Sequence, residues 1–191
     1  MSDELIKYLT KNLSLSDEII DLLAKNSIIQ EYKKGTMLLR EGDEVDFCYL
    51  VLKGCIRSFL IKDGEEKTIE FYTEEQSVLP PDFGKSIPSM LYLECIEDTT
   101  AVVNNAGHEA KILAKYPELE SVCRLMSEAT TDNIQYNYID YRTASAEERY
   151  LKMQSERPDL MQRIPQYLLA SYLGIQPESL SRIRKRLNKN S

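Results

Sequence analysis

Side chains able to do covalent or metal chemistry are few in this 191-residue chain. It has one histidine, His108, and four cysteines, Cys48, Cys55, Cys95 and Cys123, which stand 7, 40 and 28 residues apart. A cupin-type metal centre needs two or three histidines and a catalytic zinc usually at least two, so neither can be built. No CxxC pair occurs, and the thiols read as free and buried. No nucleophile–base pair, paired-carboxylate arrangement or Gly-rich phosphate loop stands out either. Neither an enzyme nor a metal protein is expected.

The charges tell more. The formal net charge is −7, which by itself argues against a nucleic-acid partner. Residues 145–191, however, hold nine basic and five acidic side chains, against 15 and 26 in residues 1–144. An acidic body with a basic C-terminal end suggests a nucleic-acid contact confined to that end.

Within that end, residues 166–187 read QYLLASYLGIQPESLSRIRKRL. Two short helices that cross closely need a small residue at the crossing, and Ala170 supplies it. Four residues on, Gly174 suits a turn conformation that other residues resist. Leu169, Leu173, Ile175, Leu180 and Ile183 fall where a shared core would face. Pro177 fits the first position of the second helix. A plain helical hairpin would explain the apolar positions, but not this turn followed by Arg182, Arg184, Lys185 and Arg186. The segment reads as a DNA-binding helix-turn-helix. Gln176, Pro177, Glu178, Ser179, Ser181, Arg182, Lys185 and Arg186 are its candidate DNA-contacting residues, with Arg182 best suited to guanine and Glu178 to cytosine.

The remaining chain must position this hairpin. The first thirty residues read as helical from Leu5, Ile6, Leu9, Leu13, Ile19, Ile20, Leu22 and Leu23, with Ser16 as an N-cap. From Thr36 to Val103 short apolar runs alternate with Gly42, Gly54 and Gly64 turns, the pattern of an antiparallel β-roll or jelly roll. Pro80-Pro81 marks a loop or an edge. After Gly107 helical periodicity returns, and Leu119, Val122, Met126, Ala129, Asn133 and Tyr136 form a heptad seam. That seam suits a helix of about 109–141 that pairs with a second copy, or one that packs on its own β-domain. At 42% apolar residues, with seven Gly and seven Pro, the composition is that of a globular protein. No run approaches the ~20 apolar residues of a membrane helix, and the N-terminus is acidic with no signal-peptide pattern. A cytoplasmic location with no membrane partner is expected.

A β-roll, a long helix and a terminal helix-turn-helix together resemble the Crp/Fnr family of bacterial transcription regulators. The string Tyr32 to Leu38, then Gly42-Asp43, Tyr49-Leu50-Val51, Gly54-Cys55-Ile56-Arg57 and Asp63-Gly64, resembles the first half of a cyclic-nucleotide-binding β-roll. Ala146-Glu147-Glu148-Arg149-Tyr150 resembles the start of the family's DNA-binding domain, and Pro177 to Ile183 its recognition helix. The resemblance implies an α+β fold. Residues 1–144 would form the effector domain with its long dimerisation helix, and residues 145–191 the DNA-binding domain. It also implies double-stranded DNA, a second copy of the chain and RNA polymerase as partners.

The match departs where a ligand would sit. Relatives that hold cyclic AMP use a Gly-Glu pair on the ribose and a nearby arginine on the phosphate. Residues 81–97 contain no arginine; Gly84 precedes Lys85, and Glu94 stands near the arginine's place. A carboxylate there repels a phosphate that an arginine would bind in bidentate fashion. Arg57, Phe83, Gly84, Lys85, Ser89, Glu94, Thr130 and Thr131 are the candidate effector-pocket residues. Cyclic AMP is not the expected effector; an unidentified small molecule, or none, takes its place. An iron–sulfur sensor would want an N-terminal cysteine cluster, which is absent. The rival reading is a cyclic-nucleotide-binding module that signals through protein contacts.

Overall fold

The structure is a computed structural model that describes residues 3–12, 16–117 and 119–187. Leu13 lies outside them. Two helices open the chain, α1 (Asp3–Asn12) and α2 (Asp17–Asn26). The Ser16 hydroxyl accepts from the Ile19 N–H, the N-cap its position indicated. Leu5, Tyr8 and Ile20 pack with Leu52 in a small core on the adjoining sheet.

Eight strands follow: β1 (Ile28–Tyr32), β2 (Met37–Leu39), β3 (Phe47–Lys53), β4 (Ile56–Lys62), β5 (Glu65–Tyr72), β6 (Ser77–Val78), β7 (Tyr92–Cys95) and β8 (Thr99–Asn105). They make two four-stranded sheets, ordered β1-β8-β3-β6 and β2-β7-β4-β5. This is the expected antiparallel β-roll. Leu39, Tyr49, Val51, Ile56, Val78, Leu93, Cys95, Ala101 and Val103 form its buried core. Asp63 and Gly64 both take positive φ, 55° and 76°, which lets a two-residue turn join β4 to β5.

Two expectations change here. The helical reading of the first thirty residues ends too late, because Ile28–Tyr32 pairs with Tyr32↔Thr99 through Ile28↔Val103 on β8. Pairing with a distant strand, which local periodicity does not report, decides that segment. The single helix of about 109–141 is instead two, α3 (Ala106–Lys115) and α4 (Leu119–Thr143). Pro117 disfavours helical geometry in the residue before it, and Tyr116 accordingly sits at φ −133° and ψ 75°.

The remaining helices are α5 (Ala146–Glu156), α6 (Pro158–Arg163), α7 (Gln166–Tyr172) and α8 (Pro177–Leu187). The chain divides into two compact units, residues 1–58 with 71–127 and residues 59–70 with 128–191. The outer part of the β4–β5 hairpin thus belongs to the unit that holds α5 to α8. Among the described residues no helix is long and apolar enough to cross a membrane.

Candidate nucleic-acid interface and effector region

Helix α5 is fixed first. Ser145 and Glu148 form a reciprocal capping box at its start, holding the Glu148 carboxyl below its ordinary value through hydrogen bonding with the Ser145 side chain and then its backbone. Arg149 then ties three segments together. Its guanidinium donates to the carbonyls of Ala144 (2.7 Å), Tyr141 (3.3 Å) and Leu173 (2.9 Å) and lies 4.8 Å from the centre of the Tyr141 ring. A cation on the last carbonyls of two helices is well placed, because those carbonyls lack helical partners.

The turn between α7 and α8 is a Schellman motif. The Ile175 N–H donates to the Ala170 carbonyl (3.0 Å) and the Gly174 N–H to the Ser171 carbonyl (3.1 Å). Gly174 has φ +69°, and a Cβ there would come within 2.9 Å of the Tyr141 hydroxyl. Ala170, Leu180, Leu169, Leu173 and Ile183 are buried, and Ile175 is half-buried. Pro177 opens α8 as expected.

Of the candidate DNA-contacting residues, Gln176, Pro177, Glu178, Ser181, Arg182, Lys185 and Arg186 are exposed and Ser179 is half-buried. The Arg182 guanidinium bonds to the Ser179 hydroxyl (3.2 Å) and the Glu178 carbonyl (3.4 Å), within its own helix. Arg186 is paired with Glu147 at the start of α5, so it is anchored to its own domain.

Lys85, Ser89 and Gly84 of the effector-region set each bond to a residue outside it. Lys85 is exposed and pairs with Asp82 (3.3 Å). The buried Ser89 hydroxyl is spent on the backbone of Leu91. Gly84 takes φ +70°, and its N–H donates to the Val45 carbonyl (2.9 Å). Phe83 is half-buried, Thr131 is exposed, and the Thr130 side chain lies outside the described ones. One pair does meet. Arg57 on β4 is 2% exposed, and its Nη1 lies 3.5 Å from Oε2 of Glu94 on β7. Ile56, Leu93 and Cys95 are in the β-roll core, so the strand period of two turns Arg57 and Glu94 to the other face of their sheet.

Of the heptad seam, Leu119 is buried within the chain itself and Tyr136 is 68% exposed. The side chains of Val122, Met126, Ala129 and Asn133 lie outside the described ones. Ile134, Tyr138 and Ile139 on α4 are also exposed. An open groove of about 530 Å³ runs along the start of α4, lined by Pro117, Glu120, Cys123, Arg124 and Ser127 among others. It shares no residue with the effector set. Among the described residues no group of three potential ligands could hold a metal ion.

Several of these anchors escaped the sequence reading. Ser145-Ala146-Glu147-Glu148 carries a legible capping-box spacing. Tyr141, by contrast, meets Arg149 and lies against Gly174, positions far apart in the chain that leave no local signal.

Residues 29–116 match the cyclic nucleotide-binding domain family. Over most of its length the fold is similar to that of a solved Crp/Fnr-family protein, so the resemblance read in the sequence holds for the fold. The FixK2 structure from Bradyrhizobium japonicum matches at 17% identity, with 86% of this chain and 85% of that chain covered and a TM-score of 0.72. The c-di-GMP-responsive global regulator CLP of Xanthomonas campestris matches at 16% identity, covering 92% and 93%, with a TM-score of 0.71. A Crp/Fnr-family protein from Eubacterium rectale matches at 19% identity, covering 96% and 88%, with a TM-score of 0.70. The Xanthomonas campestris and Eubacterium rectale neighbours are described as regulators. No curated protein matches the sequence.

Proposed function

We propose that the chain is a homodimeric, sequence-specific DNA-binding transcription regulator whose effector is not cyclic AMP. Residues 145–191 are its DNA-binding domain, with α8 in the major groove, and residues 1–144 its effector domain. Its partners are double-stranded DNA, a second copy of itself and RNA polymerase. The observation that carries this reading is the α7–α8 turn. A buried Ala170, a left-handed Gly174 and a Schellman closure present Gln176 just before α8 and Ser181, Arg182 and Lys185 on its exposed face. The N-terminal half of such a helix reaches base edges, while phosphate contacts set its register.

Selection from a random duplex library should enrich a two-fold-symmetric site. Replacing Arg182 by Ala should then cost ~1–3 kcal/mol on that site and much less on random DNA. Equal losses on both would confine Arg182 to phosphate. A library from which nothing is enriched would overturn sequence-specific binding.

A further inference from the structure

The β4–β5 hairpin grips the first helix of the helix-turn-helix. β5 is the outermost strand of its sheet. The Ser171 hydroxyl on α7 accepts from the Thr68 N–H (2.9 Å) and donates to the Glu66 carbonyl (3.1 Å). One side chain thus meets two backbone groups of a strand edge as a neighbouring strand would. Beside it, Glu70 on β5 takes Arg157 through one oxygen (3.2 Å) and the Tyr172 hydroxyl through the other (3.4 Å). Arg157 and Glu70 are only 22% and 21% exposed, so water screens this pair far less than a surface one. Burial and the Glu70 charge push the Tyr172 hydroxyl well above its ordinary value, so it remains a donor.

The gripped helix carries no charged side chain, and the gripping hairpin is acidic. Residues 59–70 hold Asp63, Glu65, Glu66 and Glu70 against Lys62 and Lys67. Asp63, Glu65 and Glu66 are exposed. In a helix-turn-helix the first helix crosses the DNA backbone, where it meets phosphates. Carboxylates fixed beside that helix oppose the phosphates over distances comparable with the Debye length.

We infer that the β4–β5 hairpin is an autoinhibitory clasp, which holds an acidic strand edge against α7 and must release it for tight DNA binding. The inference rests on α8 reading DNA as proposed above. Neither Ser171 nor Glu70 belongs to the proposed DNA-reading set, so both are open to substitution in the full chain.

The test compares the full-length protein with Ser171→Ala, Glu70→Gln and the double variant. Hydrogen exchange reads the clasp directly, since the Thr68 amide loses its acceptor in Ser171→Ala. Fluorescence anisotropy reads affinity on both a selected duplex and a random one. The variants should exchange faster at Thr68 and bind both duplexes roughly tenfold tighter, toward the low end of the 5- to 150-fold range of intramolecular couplings. The gain should shrink as salt is raised. Wild-type binding that the variants leave unchanged or weaken overturns the clasp alone. Absence of binding by every form, with Thr68 freed, overturns the clasp and the DNA-reading role of α8 together.

Discussion

Arg57 and Glu94 form a cross-strand ion pair in the β-roll, 3.5 Å between Nη1 and Oε2, and Arg57 is the one buried charged side chain among the described residues. The domain therefore carries its own anion beside its buried arginine. A ligand phosphate would have to displace Glu94 or sit next to its charge.

Cyclic nucleotides should consequently bind poorly. Losing one charge-assisted pair costs ~1.5–3 kcal/mol, and an adjacent carboxylate adds to that. With each ~1.4 kcal/mol worth tenfold, a site of about micromolar strength would fall to about millimolar. Isothermal titration with cyclic AMP or cyclic GMP at roughly tens of micromolar should show no heat. A clear micromolar isotherm would mean that Arg57 has exchanged Glu94 for the phosphate, and would favour the nucleotide-sensing reading.

The dimer prediction separates two faces of α4. If the heptad seam is the interface, Val122→Asp with Met126→Asp places unpaired charges in it and sedimentation shows monomers. Ile134 and Tyr138, one turn apart and each 63% exposed, offer the other face. Monomers from Ile134→Asp with Tyr138→Asp, but not from the first pair, would move the interface there. A dimer that survives both pairs would place it away from α4.

Gly174→Ala should destabilise the helix-turn-helix twice over. The left-handed φ costs an L-residue roughly 1–2 kcal/mol. The new Cβ also meets the Tyr141 hydroxyl at 2.9 Å. Gly42→Ala carries the first cost only, since nothing lies within 4 Å of its Cβ position. Thermal melts should rank Gly174→Ala below Gly42→Ala, with Tyr141→Phe recovering part of the difference. Equal melting points would show that Tyr141 does not constrain the turn.

The thiols should be quiet at neutral pH. Burial pushes Cys95 up to about 11 and Cys48 up to about 12, the latter with help from Glu109. Folding thus favours the protonated form. Its contribution is complete below the ordinary thiol value and is lost as pH rises through about 11. Iodoacetamide at pH 8 should leave both unmodified in the native protein and alkylate them in urea. Rapid native alkylation of buried Cys95 or half-buried Cys48 would contradict their raised thiol values.

Much of this architecture was legible because its signals are local. Gly42, Gly54 and Gly64 mark real turns with φ of 88°, 97° and 76°. Ala170, Gly174 and Pro177 sit where a helix-turn-helix needs them. The break before α4 is also written in the chain, at Pro117, although the apolar periodicity from Leu119 onward does not itself mark where the helix begins. β1, β6 and β7 leave little trace in the sequence: β6 has two residues and β7 four, and β1 owes its form to β8. The Arg57–Glu94 pair and the Ser171 contacts depend on which strands and helices become neighbours. No spacing along the chain encodes that.

The Ser171 contact also bears on how this protein can be dissected in the laboratory. β5 is an outer strand, and Ser171 meets its backbone at Glu66 and Thr68. A fragment ending before α7 would keep the strand and take the Ser171 contact away from the Thr68 N–H and the Glu66 carbonyl. Exposed strand edges recruit one another. A sensor domain expressed alone would tend to self-associate through β5, and a soluble fragment would need a charge or a proline on that edge.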